Sequence, residues 1–175
     1  IEKIFRQLSF SKKTQAEKFV HEQNIYRLYD LSRNVPKSTP PCLAPWTSIS
    51  FSIDGYANVC CLNKKTSINI ETHSIKEIWN SEVFNKLREN VTAENLSYDC
   101  AICSEQILAK NFSGVKAVGY DAYHPHNPLR PKVMEFCLDN TCNLACTMCN
   151  SVLSSTIRKN QNLPPLKKSY SDEFI

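Results

Sequence analysis

The amino-acid sequence lacks any long apolar run. No stretch approaches the roughly 18 consecutive apolar residues of a membrane-spanning helix, and no apolar segment of the signal-peptide type lies near its start. Internal repeats and low-complexity tracts are also missing. Because 42% of the residues are hydrophobic, the chain can still build a packed core. We therefore expect a soluble, cytoplasmic protein with no membrane partner.

The sequence also lacks a cysteine count that suits disulfide pairing. Nine cysteines leave at least one unpaired, and a cytoplasmic location would keep all of them reduced. Metal binding is the usual alternative role for such cysteines. The formal net charge is only +4. It falls to about +1 if seven thiolates hold two cluster cores of charge about 2+, so the charge predicts no nucleic-acid partner.

Short-range patterns predict the elements of the first half of the chain. Apolar residues recur at near-helical spacing over residues 14–33, which predicts a helix with a solvated basic face. Over residues 48–53, isoleucine and phenylalanine alternate with serine, which is typical of a half-buried strand. The Asp54-Gly55 pair that follows is a strong hairpin-turn signal. We therefore predict one helix followed by a β-hairpin.

Further along the chain, helix-start signals alternate with irregular sequence. Ser74 and Glu77 predict a capping box, and Ser81 can begin the next helix. Glycine and proline are too frequent in residues 114–131 for a regular element, so we predict a domain junction there. The segment KVMEFCL, residues 132–138, predicts a strand, and we expect a helix after the cysteine-rich loop that follows it.

That loop, CNLACTMC, carries Cys142, Cys146 and Cys149 at spacings of four and three residues. A four-iron, four-sulfur cluster normally takes four cysteine thiolates, one on each iron. Three thiolates leave one iron open, and an open coordination position distinguishes a reacting metal site from a closed structural one. The loop is therefore a candidate for a catalytic cluster.

This Cys-x3-Cys-x2-Cys pattern between a strand and a helix resembles the motif of the radical S-adenosylmethionine (SAM) enzymes. Asn143 and Met148 also resemble the residues that this family places beside its cysteines, and they are candidate cofactor-binding residues. The resemblance implies a [4Fe-4S] cluster that binds SAM and cleaves it reductively to a 5′-deoxyadenosyl radical. It further implies an electron donor such as a flavodoxin or ferredoxin and an unknown substrate, with peptides the commonest class.

A second set of cysteines resembles the SPASM/twitch domains that hold an auxiliary cluster in many of these enzymes. Its pattern is Cys42-x12-Gly55-x4-Cys60, then a helical gap, then Cys100-x2-Cys103. The resemblance implies that these four cysteines hold one auxiliary [4Fe-4S] cluster. Cys61 is the alternative to Cys60, since adjacent residues of a strand face opposite sides.

Together the resemblances imply an α+β fold. A small SPASM/twitch-like β-hairpin-plus-helix domain would precede the first strand, cluster loop and helix of a partial β/α radical SAM barrel. We expect an N-terminal helical extension over residues 1–40, the auxiliary domain over 41–113, a linker over 114–131 and the start of the barrel over 132–175.

Two features depart from the family pattern. In most relatives the auxiliary domain follows the barrel, whereas here it precedes the three-cysteine loop. Residues 150–175 are too few to complete a barrel, and no GGE-type SAM-binding segment is present. We therefore expect the chain to be the front part of a longer enzyme.

Two other classes of function remain open from the sequence. A non-enzymatic iron–sulfur electron carrier would use Cys137 as the fourth ligand of the second cluster. A zinc-stapled interaction module would form one closed four-thiolate site instead. The zinc ligands would then be Cys60, Cys61, Cys100 and Cys103.

Overall fold

A computed structural model describes residues 15–37, 39–63, 66–97, 99–123, 129–167 and 170. The helices are α1 (Gln15–Ser32), α2 (Ala44–Thr47), α3 (Ile75–Trp79), α4 (Glu82–Thr92), α5 (Ala101–Leu108) and α6 (Ser155–Asn160). Two 3-10 helices, Phe112–Gly114 and Lys116–Tyr120, follow α5. The strands are β1 (Ser48–Phe51), β2 (Ala57–Asn58) and β3 (Val133–Phe136). Within these ranges, no helix has both the length and the apolar character needed to span a membrane.

The three strands form one sheet in the order β2-β1-β3. The predicted hairpin is confirmed, because β1 and β2 are antiparallel and Gly55 takes a φ of 80° in the turn between them. Strand β3 pairs with β1 in parallel, with Val133 opposite Ser48. The strand predicted to open a barrel therefore extends the sheet of the hairpin. The structure does not show a partial barrel in the described residues.

Helices α3 and α4 form as their caps predict. Ser74 and Glu77 make the reciprocal hydrogen bonds of a capping box, and the Ser81 side chain accepts a hydrogen bond at the start of α4. The rings of Trp79 and Phe84 are buried, with their centroids 6.2 Å apart. Complete burial of side chains of this size contributes about 1.5–3 kcal/mol each. These aromatic residues lie in the core.

Helix α1 agrees closely with the predicted helix, but it buries a narrower face than its apolar pattern suggests. Ile25, Tyr26 and Tyr29 are buried, whereas Leu31 is 75% exposed. The Tyr29 hydroxyl donates a hydrogen bond to the carbonyl oxygen of Pro41, 3.1 Å away. The N-terminal helix is thus packed against the segment in which Cys42 lies.

The expectation that residues 114–131 contain no regular element is wrong for the described part of that run. The second 3-10 helix lies within it, and Val115, Ala117 and Tyr120 are buried in the core. Apolar contacts stabilise this short helix although its glycine content disfavours a longer one. Packing therefore joins residues 115–120 to the helices and hairpin before them, while the division of the chain into domains stays a prediction.

Candidate metal centres

One cavity between the hairpin, α5 and the second 3-10 helix is lined by Cys42, Cys60, Cys100 and Cys103. Cys42 lies two residues before α2, and Cys60 lies two residues after β2. Cys100 directly precedes α5, and Cys103 lies in its first turn. Three of these residues are only 8% exposed, and Cys100 is half-buried. The structure thus brings together the four cysteines that the sequence pattern selected.

Burial dominates the electrostatics of the four thiols. It raises the pKa of Cys42, Cys60 and Cys103, and it raises the pKa of Cys100 to about 12. Repulsion between neighbouring thiolates adds to the shift, as between Cys100 and Cys60. The metal-free cavity therefore holds neutral thiols at pH 7. Binding a positively charged metal centre would release their protons.

Backbone N–H groups act on three of the four thiols. The Ala44 N–H donates to the sulfur of Cys42 across 3.4 Å. The backbone groups of Leu62 and Asn63 lower the pKa of Cys60, and those of Lys116 and Ala117 lower the pKa of Cys103, against the larger effect of burial. Hydrogen bonds of this kind favour the thiolate over the thiol. They are also one of the features that set the reduction potential of an iron–sulfur cluster.

The remaining cavity wall is largely apolar and contains Pro45, Val59, Leu96 and Ala117. In the described part of the chain, no three His, Cys, Asp or Glu side chains converge closely enough to hold a single metal ion. The four thiols instead surround the cavity. Such a site suits a cluster with one thiolate on each iron better than one tetrahedral zinc ion.

Cys61 has a different environment from its neighbour Cys60. Its side chain is exposed and lines a separate polar depression that also contains Asp54 and Asn58. Cys61 is near enough to Cys60 to affect its pKa, but it does not line the four-cysteine cavity. The zinc alternative, which requires Cys61 as a ligand in place of Cys42, is therefore not favoured by this geometry.

The three-cysteine loop forms a second constellation outside the cavity. Cys146 is exposed, while Cys142 and Cys149 are half-buried. The Cys149 N–H donates to the carbonyl oxygen of Cys146 across 3.0 Å, which closes a turn within the loop. Asn143 is exposed, and Met148 is 94% exposed. The loop therefore presents its side chains outwards.

Hydroxyl groups at the start of α6 hold this loop in place. Ser155 Oγ accepts a hydrogen bond from the Cys142 N–H at 3.0 Å, and Thr156 Oγ1 donates to the Cys142 carbonyl oxygen at 2.7 Å. Ser154 Oγ is buried and donates to the carbonyl oxygen of Leu144 at 2.8 Å. The backbone on both sides of Cys142 is thus fixed by the helix that follows the loop.

One part of the four-cysteine cavity was not identified from the sequence, and the contacts of Cys137 were not predicted either. The second 3-10 helix supplies Lys116, Ala117 and Tyr120 to the cavity wall, although no motif marks these residues. Cys137 lies at the end of β3, where its N–H donates to the Phe51 carbonyl oxygen at 3.0 Å and its thiol lies 3.9 Å from the Asp139 carbonyl oxygen. Pairing of the predicted strands could have indicated the bond between the Cys137 N–H and Phe51. No local signal indicates that the second 3-10 helix forms part of the cavity wall.

Comparison with known proteins gives one match. The family model of SPASM, an iron–sulfur cluster-binding domain, matches residues 42–104. The match begins at Cys42 and ends one residue after Cys103, so it spans all four cysteines of the cavity. It supports iron–sulfur cluster binding by this part of the chain. No curated protein and no solved structure matches the sequence.

Proposed function

We propose that the chain is the cluster-binding part of a radical SAM enzyme, with an auxiliary [4Fe-4S] cluster in the SPASM region and a SAM-binding [4Fe-4S] cluster on the three-cysteine loop. The observation that carries this proposal is the presence of two separate cysteine constellations of different character. One is a set of four thiols around a cavity, three of them buried, and the other is a set of three on a loop, one of them exposed and two half-buried. Such a difference is expected if the protein ligates every iron of one cluster and leaves one iron of the other cluster open for an external ligand.

The four-thiol cavity supports the auxiliary site. Its ligands would be Cys42, Cys60, Cys100 and Cys103, each from a different position around the cavity. Backbone N–H donors and apolar walls would stabilise the bound cluster and keep water from it. The match of residues 42–104 to an iron–sulfur domain supports the same assignment independently.

The three-cysteine loop supports the catalytic site. Cys142, Cys146 and Cys149 would hold three irons, and the open fourth iron would bind SAM. When bound, this cluster supplies one electron for reductive cleavage of the SAM sulfonium, which generates a 5′-deoxyadenosyl radical. The exposed Asn143 and Met148 would contact the bound SAM. Hydrogen bonds from α6 fix the backbone of Cys142 before any cofactor binds, which favours a preorganised site.

The remaining parts of the proposal rest on family resemblance. Residues 1–40 would be a helical extension and 41–113 the auxiliary domain, to which the buried residues 115–120 also belong. The rest of 114–131 would be a linker, and 132–175 would be the first strand, loop and helix of a barrel. The substrate would be a peptide, and the electron donor a flavodoxin or ferredoxin in the cytoplasm.

Anaerobic reconstitution with iron and sulfide tests the proposal. We expect about eight irons per chain, and two electron paramagnetic resonance signals after reduction, of which SAM shifts one. Two variants assign the signals: the triple variant Cys142→Ala, Cys146→Ala, Cys149→Ala should lose only the SAM-responsive signal, and Cys100→Ala should lose only the other. Cys137→Ala is the matched control and should keep both.

Three results would contradict the proposal. Zinc in place of iron would indicate a structural zinc site. A full iron load with no response to SAM, together with loss of one cluster in Cys137→Ala, would indicate an electron carrier with two closed clusters. Loss of both signals in either assigning variant would mean that the two constellations form a single site.

A further inference from the structure

Tyr120 occupies an unusual position in the wall of the four-cysteine cavity. Its side chain is only 5% exposed and lines the cavity together with the four thiols. Its phenol oxygen is buried and has no hydrogen-bond partner among the described residues. A phenol that is buried in this way loses its hydrogen bonds to water, which is unfavourable unless another acceptor replaces them.

Ser48 and Cys60 both lie close enough to this hydroxyl to affect the pKa of Tyr120. Ser48 Oγ already donates a hydrogen bond to the Val59 carbonyl oxygen at 2.5 Å, and its contact with the Tyr120 hydroxyl does not have hydrogen-bond geometry. The thiol of Cys60 is the ionisable group with the strongest electrostatic effect on Tyr120. A neutral thiol is a weak acceptor, whereas a metal-bound thiolate carries negative charge and accepts a hydrogen bond well.

We propose that Tyr120 donates an O–H···S hydrogen bond to the auxiliary cluster at the sulfur of Cys60 and thereby raises the reduction potential of that cluster. The inference rests on the auxiliary-cluster part of the proposed function. It assigns Tyr120 as a positioning and tuning residue. The unpaired hydroxyl then has a physical explanation, because its acceptor is formed only when the thiol has lost its proton to the bound cluster.

The direction of the effect follows from charge. One-electron reduction adds negative charge to the cluster, part of which resides on the sulfur ligands. A hydrogen bond to sulfur therefore stabilises the reduced state more than the oxidised state. Removal of the Tyr120 hydroxyl should make reduction harder and leave the number of irons unchanged.

The test measures the reduction potential of the auxiliary cluster in the triple variant Cys142→Ala, Cys146→Ala, Cys149→Ala. The cluster is titrated with dithionite, and electron paramagnetic resonance monitors its reduction. We expect Tyr120→Phe to lower the equilibrium constant of reduction about tenfold, which corresponds to a fall of about 59 mV for one electron. Tyr170→Phe is the matched control: Tyr170 is also buried, but its hydroxyl donates to the Ser52 carbonyl oxygen at 2.5 Å and does not line the cavity. The reduction potential of the auxiliary cluster should not change in Tyr170→Phe.

A second variant covers the case in which Tyr120→Phe loads poorly with iron. Replacement of Tyr120 by 3-fluorotyrosine keeps the ring and the hydroxyl but makes the O–H a stronger donor. The potential should then rise relative to the unmodified chain. An unchanged potential in both variants would overturn the inference.

Ser48→Ala distinguishes the acceptor. If Tyr120 bonds Ser48 in the loaded protein, Ser48→Ala and Tyr120→Phe will lower stability alike and neither will shift the potential, which contradicts the inference. If the sulfur is the acceptor, only Tyr120→Phe will shift it. Failure of the unmodified chain to bind iron would overturn the proposed auxiliary site as well, whereas a loaded cluster that ignores both Tyr120 variants would overturn this inference alone.

Discussion

Arg33 binds Asp121 through two parallel hydrogen bonds, with Nε 2.9 Å from Oδ2 and Nη2 2.6 Å from Oδ1. The Arg33 side chain is completely buried, and Asp121 is nearly so. Arg33 lies just after α1, and Asp121 follows the 3-10 helix that lines the four-cysteine cavity. The ion pair therefore ties the N-terminal helix to the wall of the proposed auxiliary site.

Substitution of Arg33 by alanine should destabilise the chain by about 3–5 kcal/mol, because it removes the buried guanidinium that pairs with the nearly buried Asp121 carboxylate. Chemical denaturation of the metal-free chain would measure the loss. Lys86→Ala is the matched control, since its pair with Glu89 is exposed on both sides and should contribute less than about 1 kcal/mol. Equal losses in the two variants would contradict a structural role for the buried pair.

Adjacent cysteines should differ sharply in their effect on iron binding. Cys60→Ala removes a thiol that lines the cavity, whereas Cys61→Ala removes an exposed thiol outside it. We expect Cys60→Ala to lose about four of eight irons and Cys61→Ala to lose none. Iron analysis after anaerobic reconstitution gives the answer. If the two results were reversed, the register of the chain after β2 would be wrong.

The local elements around the cavity could be predicted from neighbouring residues. The turn at Gly55 depends on a φ that glycine adopts without strain, and the start of α3 depends on two side chains three residues apart. Such signals act over a few residues and do not require knowledge of the rest of the fold. The resemblance to SPASM/twitch domains likewise implied the four cysteines that line the cavity, with Cys61 left as the alternative to Cys60.

Long-range contacts could not be predicted in the same way. The parallel pairing of β1 with β3 joins segments more than 80 residues apart in the sequence, as in the pair Ser48 and Val133. No periodic pattern marks Tyr120 as a cavity residue, because it reaches the cavity only through a 3-10 helix held by packing and by the Arg33–Asp121 pair. Helix α1 illustrates the same limit: its buried face depends on which partner surface is present.

The capping box of α3 should make stability depend on pH in the acidic range. Hydrogen bonds from the side chain and backbone of Ser74 lower the pKa of Glu77 below its ordinary value of 4.5. The ionised Glu77 carboxylate therefore stabilises the folded state above that pH. This stabilisation is lost as the pH falls through the lower pKa that Glu77 has in the folded state. Glu77→Gln should lower the melting temperature at pH 7, and this difference should shrink as the pH falls through the folded-state pKa of Glu77, which lies below 4.5. Glu71→Gln is the control, and a Glu77→Gln effect independent of pH would contradict the assignment.

The hydroxyls at the start of α6 should control how firmly the three-cysteine loop holds iron. Ser155→Ala removes the acceptor of the Cys142 N–H, and loss of such a bond costs about 1–2 kcal/mol, which corresponds to about tenfold faster loss of iron from this loop to a chelator. Decay of the SAM-responsive resonance signal measures that rate, and the auxiliary signal in the same sample should decay at its unaltered rate. Ser97→Ala is the matched control, because its hydroxyl is exposed and donates to the nearby Asn95 side chain, away from the three-cysteine loop. If Ser155→Ala accelerates iron loss from both clusters equally, the hydroxyl stabilises the whole fold and does not specifically preorganise the loop.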